Sequence, residues 1–462
     1  MKGDFTRNTF DPRNHYARVL MQQGRVQLDA DWNEQSAIQL YYLHRLAADL
    51  IGPFAGPRNN LGFGIDPANY EGEDFAIGNG RYYVHGYLCE NDVWGTDANG
   101  NQVLVTYQTQ PDYPNPPDLP AGSFLVYLDV WERHLSYIQA PEIREVALGG
   151  PDTATRSKIV WQVKAQENIN ICPDDAQWRN LLSQWQPENR GLLRAGVKQF
   201  EADDAEPCTV APESKYRGAE NQLYRVEIQH GGPVGEATFK WSRENGSVIF
   251  PILKLQIDVT ANTTRVWLEH LGRDDRFTLQ EGNWVEISDD AVELKGKAVA
   301  LLKVIAVDRV QLQVTLAGVP NLTCGQDPVL HPLLRRWDHQ ELNPTLGYPK
   351  LAGDGALVLE EENWLVMEDG IQVYFDKAPS GEANTYRTGD YWLIPARTAT
   401  GDVEWPDDPG KPGEPDAPDA LPPLGVEHHY APLAVVFQRD LWQATDCRRR
   451  LIQLWESVAG DA

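Results

Sequence analysis

The stretch at residues 22–35 constrains the fold of this chain more than any other part of the sequence. It reads Gln-Gln-Gly-Arg-Val-Gln-Leu-Asp-Ala-Asp-Trp-Asn-Glu-Gln. Gly24 marks a turn between two short runs, residues 17–21 and 25–28, whose composition is typical of extended backbone. We therefore predict a small hairpin near the N-terminus, followed at once by a helix.

Capping residues and an apolar stripe define that helix. Asp31 is predicted to cap it, and Glu34, three residues later, to accept a hydrogen bond from the cap's own amide. Gly52 and Pro53 end it, which gives a helix of roughly 20 residues and about 30 Å. The apolar stripe along it comprises Trp32, Leu40, Leu43, Ala47 and Leu50. A hairpin and helix at this position suit docking to a partner, but the same periodicity is equally typical of a helix that packs on its own domain.

The charge balance argues against several classes of partner. Acidic residues outnumber basic ones 67 to 41, and the net charge is −26. Nucleic acid and anionic membrane surfaces both need basic patches, so neither is predicted as a main partner. No apolar run is long enough to span a bilayer, and the polar N-terminus lacks the apolar core of a signal peptide. We therefore expect cytoplasmic synthesis without a signal peptide, and no direct membrane insertion.

The cysteines are few and scattered. The five of them lie far apart, and no two form a Cys-x-x-Cys pair. An odd, sparse set is typical neither of a disulfide framework nor of a zinc site. We interpret the cysteines as reduced and mostly buried thiols.

Short strand-like runs separated by turn residues fill most of the remaining chain, and 462 residues exceed one ordinary core. The predicted fold is mainly β, with several antiparallel sandwich or barrel-like domains, an N-terminal strand-turn-helix module and a short C-terminal helix. The predicted divisions are an N-terminal docking module at 1–56, a first β domain with one inserted helix at 57–222, a barrel-like β domain at 223–330, and a third β region with a proline-rich loop at 331–462.

Two features of the first β domain stand out. Asp174 and Gln177 predict a capping box for the inserted helix, whose apolar stripe should be core: Trp178, Leu181, Leu182 and Trp185. The connection at residues 143–156 is too long for an ordinary hairpin and mixes apolar residues with Arg144 and Arg156. We predict that it contacts a neighbouring chain; the alternative is that it folds back on its own domain.

The search for chemistry identifies no catalytic residue, cofactor site or metal ligand. Asp29, Asp31 and Asn33 imitate the start of a calcium loop, but the glycine and the bidentate glutamate that such a loop needs are missing. His428 and His429 should face opposite sides of a strand, so we predict a hydrogen-bonded structural role for at least one of them. No phosphate-binding loop, dinucleotide fingerprint or nucleophile elbow occurs. A pair of carboxylates that cleaves glycosides stays an open alternative, because the spacing of two residues in the sequence does not fix the distance between them in the fold.

Several segments resemble one large bacterial family of uncharacterised function. They are residues 1–7, 14–34, 143–156, 237–247, 389–397 and 428–434, and the most specific reads Met-Gln-Gln-Gly-Arg-Val-Gln-Leu-Asp-Ala-Asp-Trp-Asn-Glu. Members of that family recur beside phage-tail-like contractile injection systems and among tail-associated proteins. The resemblance implies no activity and no catalytic residues.

The resemblance and the N-terminal pattern together lead to one expectation. The chain is expected to be a non-enzymatic, structural component of such a particle, bound to other particle proteins through its N-terminus; a homo-oligomer also stays open. The expected docking residues are Arg25, Asp29, Asp31, Trp32, Glu34, Arg144 and Arg156. The assembled particle would be either retained in the cell that makes it or released from that cell. The alternatives are a carbohydrate-binding or carbohydrate-active protein and a cargo effector of the particle.

Overall fold

The fold is taken from a computed structural model of the chain. The structure describes residues 1–68, 72–96, 100–186, 188–197, 215–320, 323–378, 381, 383–408, 418–438 and 441–451. The chain divides into two compact units. Unit 1 comprises Met1–Asn8, Leu135–Arg156 and Pro187–Gly425, and unit 2 comprises Thr9–His134, Ser157–Gln186 and Val426–Ala462.

Strands dominate the described residues. The helices are α1 (Asp29–Ile51), α2 (Asp175–Trp185) and α3 (Asp290–Glu293). The strands are β1 (Phe54–Pro57), β2 (Ile65–Asp66), β3 (Ala76–Ile77), β4 (Gly80–Val84), β5 (Tyr87–Asn91), β6 (Trp94–Thr96), β7 (Gln102–Leu104), β8 (Phe124–Leu135), β9 (Arg156–Glu167), β10 (Leu192–Val197), β11 (Gln222–His230), β12 (Gly232–Pro233), β13 (Thr238–Ser242), β14 (Ile249–Asp258), β15 (Thr263–Leu268), β16 (Trp284–Ser288), β17 (Leu301–Asp308), β18 (Gln313–Ala317), β19 (Leu333–Trp337), β20 (Leu357–Val358), β21 (Trp364–Val366), β22 (Ile371–Asp376), β23 (Thr385–Tyr386), β24 (Tyr391–Arg397), β25 (Asp402–Val403), β26 (His429–Gln438), β27 (Trp442–Asp446) and β28 (Arg450–Leu451).

Unit 2 is built on two four-stranded sheets, ordered β27-β26-β8-β9 and β28-β1-β4-β5. In the first, β26 pairs antiparallel with β8 from His429 opposite Val130 to Val436 opposite Phe124. One core of buried aromatic and aliphatic side chains includes residues of both sheets and Trp178 of α2. Burial of this apolar surface is the main stabilising contribution to the unit.

Unit 1 contains a closed six-stranded barrel, ordered β14-β15-β18-β17-β16-β19. Phe250 of β14 lies opposite Leu334 of β19, and this pair closes the barrel. Both side chains are fully buried and belong to the barrel core, as expected where alternate residues of each strand point inward. A five-stranded sheet, β20-β13-β11-β24-β25, and a three-stranded sheet, β10-β22-β21, share a second core.

A cluster of buried charges lies between elements of unit 1. Lys240 Nζ lies 2.6 Å from Glu286 Oε2 and 3.4 Å from Glu227 Oε1. Arg335 Nε lies 3.2 Å from Glu286 Oε1, and Lys2 Nζ lies 3.2 Å from Glu227 Oε1. Burial alone would raise the pKa of Glu227, but the cations of Lys2, Arg225 and Lys240 lower it. The first residues of the chain are therefore part of the charged interior of unit 1.

The prediction of a mainly β protein with barrel-like parts is confirmed. The capping box of α2 is confirmed as well, because Asp174 Oδ1 accepts from the amides of Ala176 and Gln177 while Gln177 Oε1 accepts from the amide of Asp174. The predicted C-terminal helix and most of the proline-rich loop lie outside the described residues. The division into four ranges stays a prediction.

The N-terminal helix differs from the prediction in its start. It begins at Asp29, and its N-cap is Leu28, which makes no side-chain capping bond. Asp31 is therefore the third helical residue, so the predicted capping box is wrong. Asp29 and Asp31 instead lie in the first turn, where their negative charge complements the helix dipole. The turn at Gly24 is present, with φ +69°, but the two runs beside it form no strand ladder.

The interpretation of all cysteines as reduced thiols is wrong for two of them. Cys172 and Cys447 form a disulfide, with their Cα atoms 5.5 Å apart. They are 275 residues apart in sequence, so spacing along the chain could not reveal that they meet. Cys89 and Cys324 are buried free thiols, and burial raises the pKa of each. Cys208 lies outside the described residues.

Candidate docking surface

The inner face of α1 packs on its own unit. Ile38 is buried, and the ring of His44 lies against that of Tyr87 in β5, with centroids 4.1 Å apart. At the start of the helix, Glu34 Oε2 accepts a hydrogen bond of 2.6 Å from the Thr9 hydroxyl. These contacts fix the rotation of the helix about its axis, and so decide which side chains face away.

The opposite face of α1 is apolar and uncovered. We call it the outer stripe, and its members are Trp32, Leu40, Leu43, Leu46 and Leu50. Their positions recur at helical spacing on one face. Trp32 is 62% exposed and Leu50 74%. Folding of this chain alone therefore leaves a row of large apolar side chains in water, interrupted by the polar residues Ser36 and Gln39, and exposed apolar patches mark interaction sites.

The segment that precedes α1, residues 16–28, is exposed in the same way. We call it the arm. The arm contains no helix or strand, and one described tether joins it to α1, a 2.9 Å hydrogen bond from the Val19 amide to Gln35 Oε1. Five of its large apolar side chains are exposed, whereas Val19 is half-buried: the exposed ones are Tyr16, Leu20, Met21, Val26 and Leu28. Arm and outer stripe are consecutive in sequence, and together they form the candidate docking surface.

A small cleft lies where the arm begins. It has a volume of about 290 Å³, including space open to solvent. Its lining combines aromatic rings with two carboxylates: Phe10, Asp11, Pro12, His15, Tyr16, Glu34, Tyr41 and Tyr42. The Phe10 and Tyr41 rings lie 5.8 Å apart between centroids, and those of Tyr41 and Tyr42 lie 5.9 Å apart. Most of this volume is open to solvent, so the cleft is a shallow depression that only the end of a partner's side chain could enter.

A row of stacked rings lies beneath α1 in unit 2. Tyr87 contacts both His44 and His429, and His429 stacks on His85 with centroids 5.3 Å apart. Burial and the neighbouring histidines lower the pKa of His429 to about 4. His428, which directly precedes β26, contacts other residues: its ring lies against Trp131, and its Nδ1 lies 2.7 Å from Asp129 Oδ1. The prediction that the two histidines face opposite sides, with a structural hydrogen bond, is confirmed.

The sequence comparison places the chain in a family. A model of a family of unknown function, DUF6519, matches residues 1–174 and 176–457. The chain belongs to DUF6519. The comparison with curated proteins found no match. The comparison with solved structures found none either. The matched ranges include the whole docking surface of this DUF6519 chain.

The predicted docking residues fall into two groups in this DUF6519 protein. Trp32 lies on the outer stripe, and Glu34 lines the cleft. Arg25 lies in the arm, and Asp29 and Asp31 lie in the first turn of α1. Arg144 and Arg156 belong to unit 1, where Arg144 Nη2 lies 3.8 Å from Glu269 Oε1.

Sequence reasoning missed the aromatic part of the site. The cleft brings together Phe10, Tyr16 and the Tyr41-Tyr42 pair, which lie far apart in sequence. The only available signal was the clustering of aromatic residues near one helix, which is equally typical of a core. Within the described residues, no helix of this DUF6519 chain is long and apolar enough to cross a membrane. That same part of the chain contains no group of three or more histidine, cysteine, aspartate or glutamate residues arranged to hold a metal ion.

Proposed function

We propose that this chain is a structural attachment subunit that docks, through its arm and outer stripe, onto another protein of a phage-tail-like contractile injection particle. One observation carries the docking part: the arm and α1 expose a consecutive set of large apolar side chains while the opposite face of α1 is packed on unit 2. Isolated exposed apolar residues are ordinary, but a consecutive set of this kind suits a partner surface.

The position of the most specific sequence motif supports the same proposal. The motif at residues 21–34 occupies the second half of the arm and the first turns of α1, and Met21, Val26, Leu28 and Trp32 are all exposed. Packing within the chain constrains exposed side chains little, whereas recognition by a partner constrains them strongly. The choice of a phage-tail-like particle rests on the resemblance of this motif to proteins found beside such systems.

The size of the surface fits a specific contact. Full burial of one large apolar side chain contributes about 1.5 to 3 kcal/mol, and ten such residues lie on the arm and outer stripe. Part of this gain is offset by the loss of motional freedom on binding, so a few central residues should dominate. Trp32 and Leu43 are the strongest candidates, because tryptophan is enriched among such residues and Leu43 lies in the middle of the stripe.

Incorporation into particles tests the proposal. Tagged wild type and a Leu43→Glu/Leu46→Glu variant would each be expressed with the particle genes, and particles would be purified by sedimentation. We expect the double variant to be lost from the particle fraction while its melting temperature stays within about 2 °C of wild type, because both side chains already face water. The matched control is Leu441→Glu, at another exposed leucine of unit 2. Full incorporation of the double variant would overturn the proposal.

The other hypotheses give different results in the same preparation. A cargo effector would be protected inside the tube and would survive protease treatment of intact particles. A carbohydrate-binding protein would bind glycans as an isolated chain, and its binding would not depend on Leu43 or Leu46. An attachment subunit should be digested by added protease and should depend on both leucines.

A further inference from the structure

The cleft beside α1 combines two features that favour a positively charged side chain. Aromatic rings attract cations through the negative face of their π systems. The rings of Phe10, Tyr41 and Tyr42 form a group, and Tyr16, which is 58% exposed, lines the opening. One ring already shows this preference, because the guanidinium of Arg45 lies 5.4 Å from the centroid of Tyr41.

The two carboxylates of the cleft differ in their partners. Asp11 is occupied by Arg13, whose Nε and Nη2 donate to both of its oxygens at 2.8 to 3.1 Å. Glu34 accepts a neutral hydrogen bond from Thr9 through Oε2, and no cation of the described residues forms an ion pair with it. Glu34 therefore brings to the cleft a negative charge that no described cation balances.

From this arrangement we infer that the cleft binds a basic side chain, an arginine or a lysine, presented by the docking partner. The cationic head would lie over the exposed tyrosine rings at the mouth of the cleft, and the Glu34 carboxylate would accept its hydrogen bonds. Charge-assisted hydrogen bonds of this kind are stronger than neutral ones and fix orientation as well as affinity. The inference rests on the proposed function for the identity of the partner, but binding of a basic group can be measured on the isolated chain.

The chemistry of the cleft complements that of the outer stripe. The stripe provides apolar area, which is not directional, while one ion pair in the cleft, where the arm begins, would orient the partner. The partner surface should therefore present a basic residue beside an apolar patch. A partner with an acidic residue at that position would be rejected, because like charges would meet in a partly desolvated cleft.

A titration of the isolated full-length chain tests the inference. Tyrosines would be replaced by 3-fluorotyrosine, and the resonances of Tyr16, Tyr41 and Tyr42 assigned from single phenylalanine variants. The probes are the N-acetyl amides of arginine, lysine and citrulline; citrulline has nearly the shape of arginine but no charge. The titration would be run at pH 8.

We expect the arginine or lysine probe to shift these resonances with saturation, at a dissociation constant on the order of 10 mM. Citrulline should bind at least fivefold more weakly. Glu34→Gln should weaken the cationic probe about fivefold or more, and it should fold normally because glutamine retains an oxygen for the Thr9 hydroxyl. The matched control is Asp49→Asn, which removes an exposed carboxylate from the last turn of the same helix and should leave binding unchanged.

Two results would overturn the inference: equal shifts with citrulline and arginine, or unchanged binding by Glu34→Gln. Neither result would affect the proposed function, because the titration uses no particle. Conversely, full incorporation of the Leu43→Glu/Leu46→Glu variant into particles would overturn the proposed function, whatever the cleft binds.

Discussion

His44 of α1 and Tyr87 of β5 lie ring against ring, with centroids 4.1 Å apart, and this contact joins the docking helix to the sheet beneath it. Tyr87 in turn stacks on His429 at 4.6 Å. The packing of α1 therefore depends on imidazole rings that are neutral when buried. The attachment of the helix should respond to pH for this reason.

Acid should destabilise unit 2 through these rings. Burial lowers the pKa of His44 and of His85, and burial together with neighbouring histidines lowers that of His429 to about 4. An unfolded histidine has a pKa near 6.5, so between pH 6.5 and 4 the unfolded chain binds more protons than the folded one. The free energy of unfolding must then fall as pH falls through this window. From pH 7.5 to 5, His429 alone should account for about 2 kcal/mol.

The matched variant is His429→Gln, which cannot be protonated. Urea unfolding at pH 7.5 and 5 should show a smaller loss of stability for the variant than for wild type, by about 2 kcal/mol. Identical pH dependence of the two proteins would show that His429 is not a neutral, buried ring in the folded state.

The charged cluster of unit 1 gives a second prediction. Lys240→Met should lower the free energy of unfolding by about 3 to 5 kcal/mol, because Glu227 and Glu286 would stay buried with fewer cations. Lys377→Met is the control, since Lys377 pairs with Glu362 at the surface and should give no measurable change. Equal effects of the two substitutions in urea titrations would argue against a buried cluster.

The starts of α1 and α2 predict losses of stability of different size. Asp174→Ala removes two hydrogen bonds at the start of α2 and should cost about 0.5 to 2 kcal/mol. Asp31→Ala removes no capping bond and should cost less, about 0.3 to 1 kcal/mol through the helix dipole. Thermal unfolding of both variants measures the difference, and a larger loss for Asp31→Ala would restore the capping role that the sequence suggests.

The disulfide is open to direct chemical measurement. Alkylation of the native protein followed by peptide mass spectrometry should leave Cys172 and Cys447 unmodified until a reductant is added. Reduction should then destabilise unit 2 by about 2 to 4 kcal/mol, because the bond restricts the unfolded chain. Modification of both residues without reductant would mean that they are free thiols.

Local patterns in the sequence predicted local structure well. The capping box at Asp174 and Gln177 and the opposed faces of His428 and His429 depend only on neighbours along the chain. The mainly β fold follows from short strand-like runs and turn residues spread along the chain.

Features that depend on distant contacts could not be read from sequence. α1 begins earlier than predicted, and Glu34 accepts a hydrogen bond from the distant Thr9 instead of from an N-cap amide. Periodicity identified an apolar stripe on this helix but not its exposure, which is settled by the packing of His44 and Ile38 on the other face. The cleft and the disulfide each join residues that only the fold brings together.

Hydrogen exchange of the arm tests the central claim most directly. Peptides covering residues 16–28 would be compared by mass spectrometry in the isolated chain and in assembled particles, with peptides of the exposed connection at residues 143–156 followed as well. Because the arm has few hydrogen bonds of its own, its amides should exchange rapidly in the isolated chain and at least about tenfold more slowly in particles. Slower exchange of residues 143–156 in particles than in the isolated chain would support the predicted contact of this connection with a neighbouring chain. Equal exchange of the arm in both samples would contradict docking through the N-terminus.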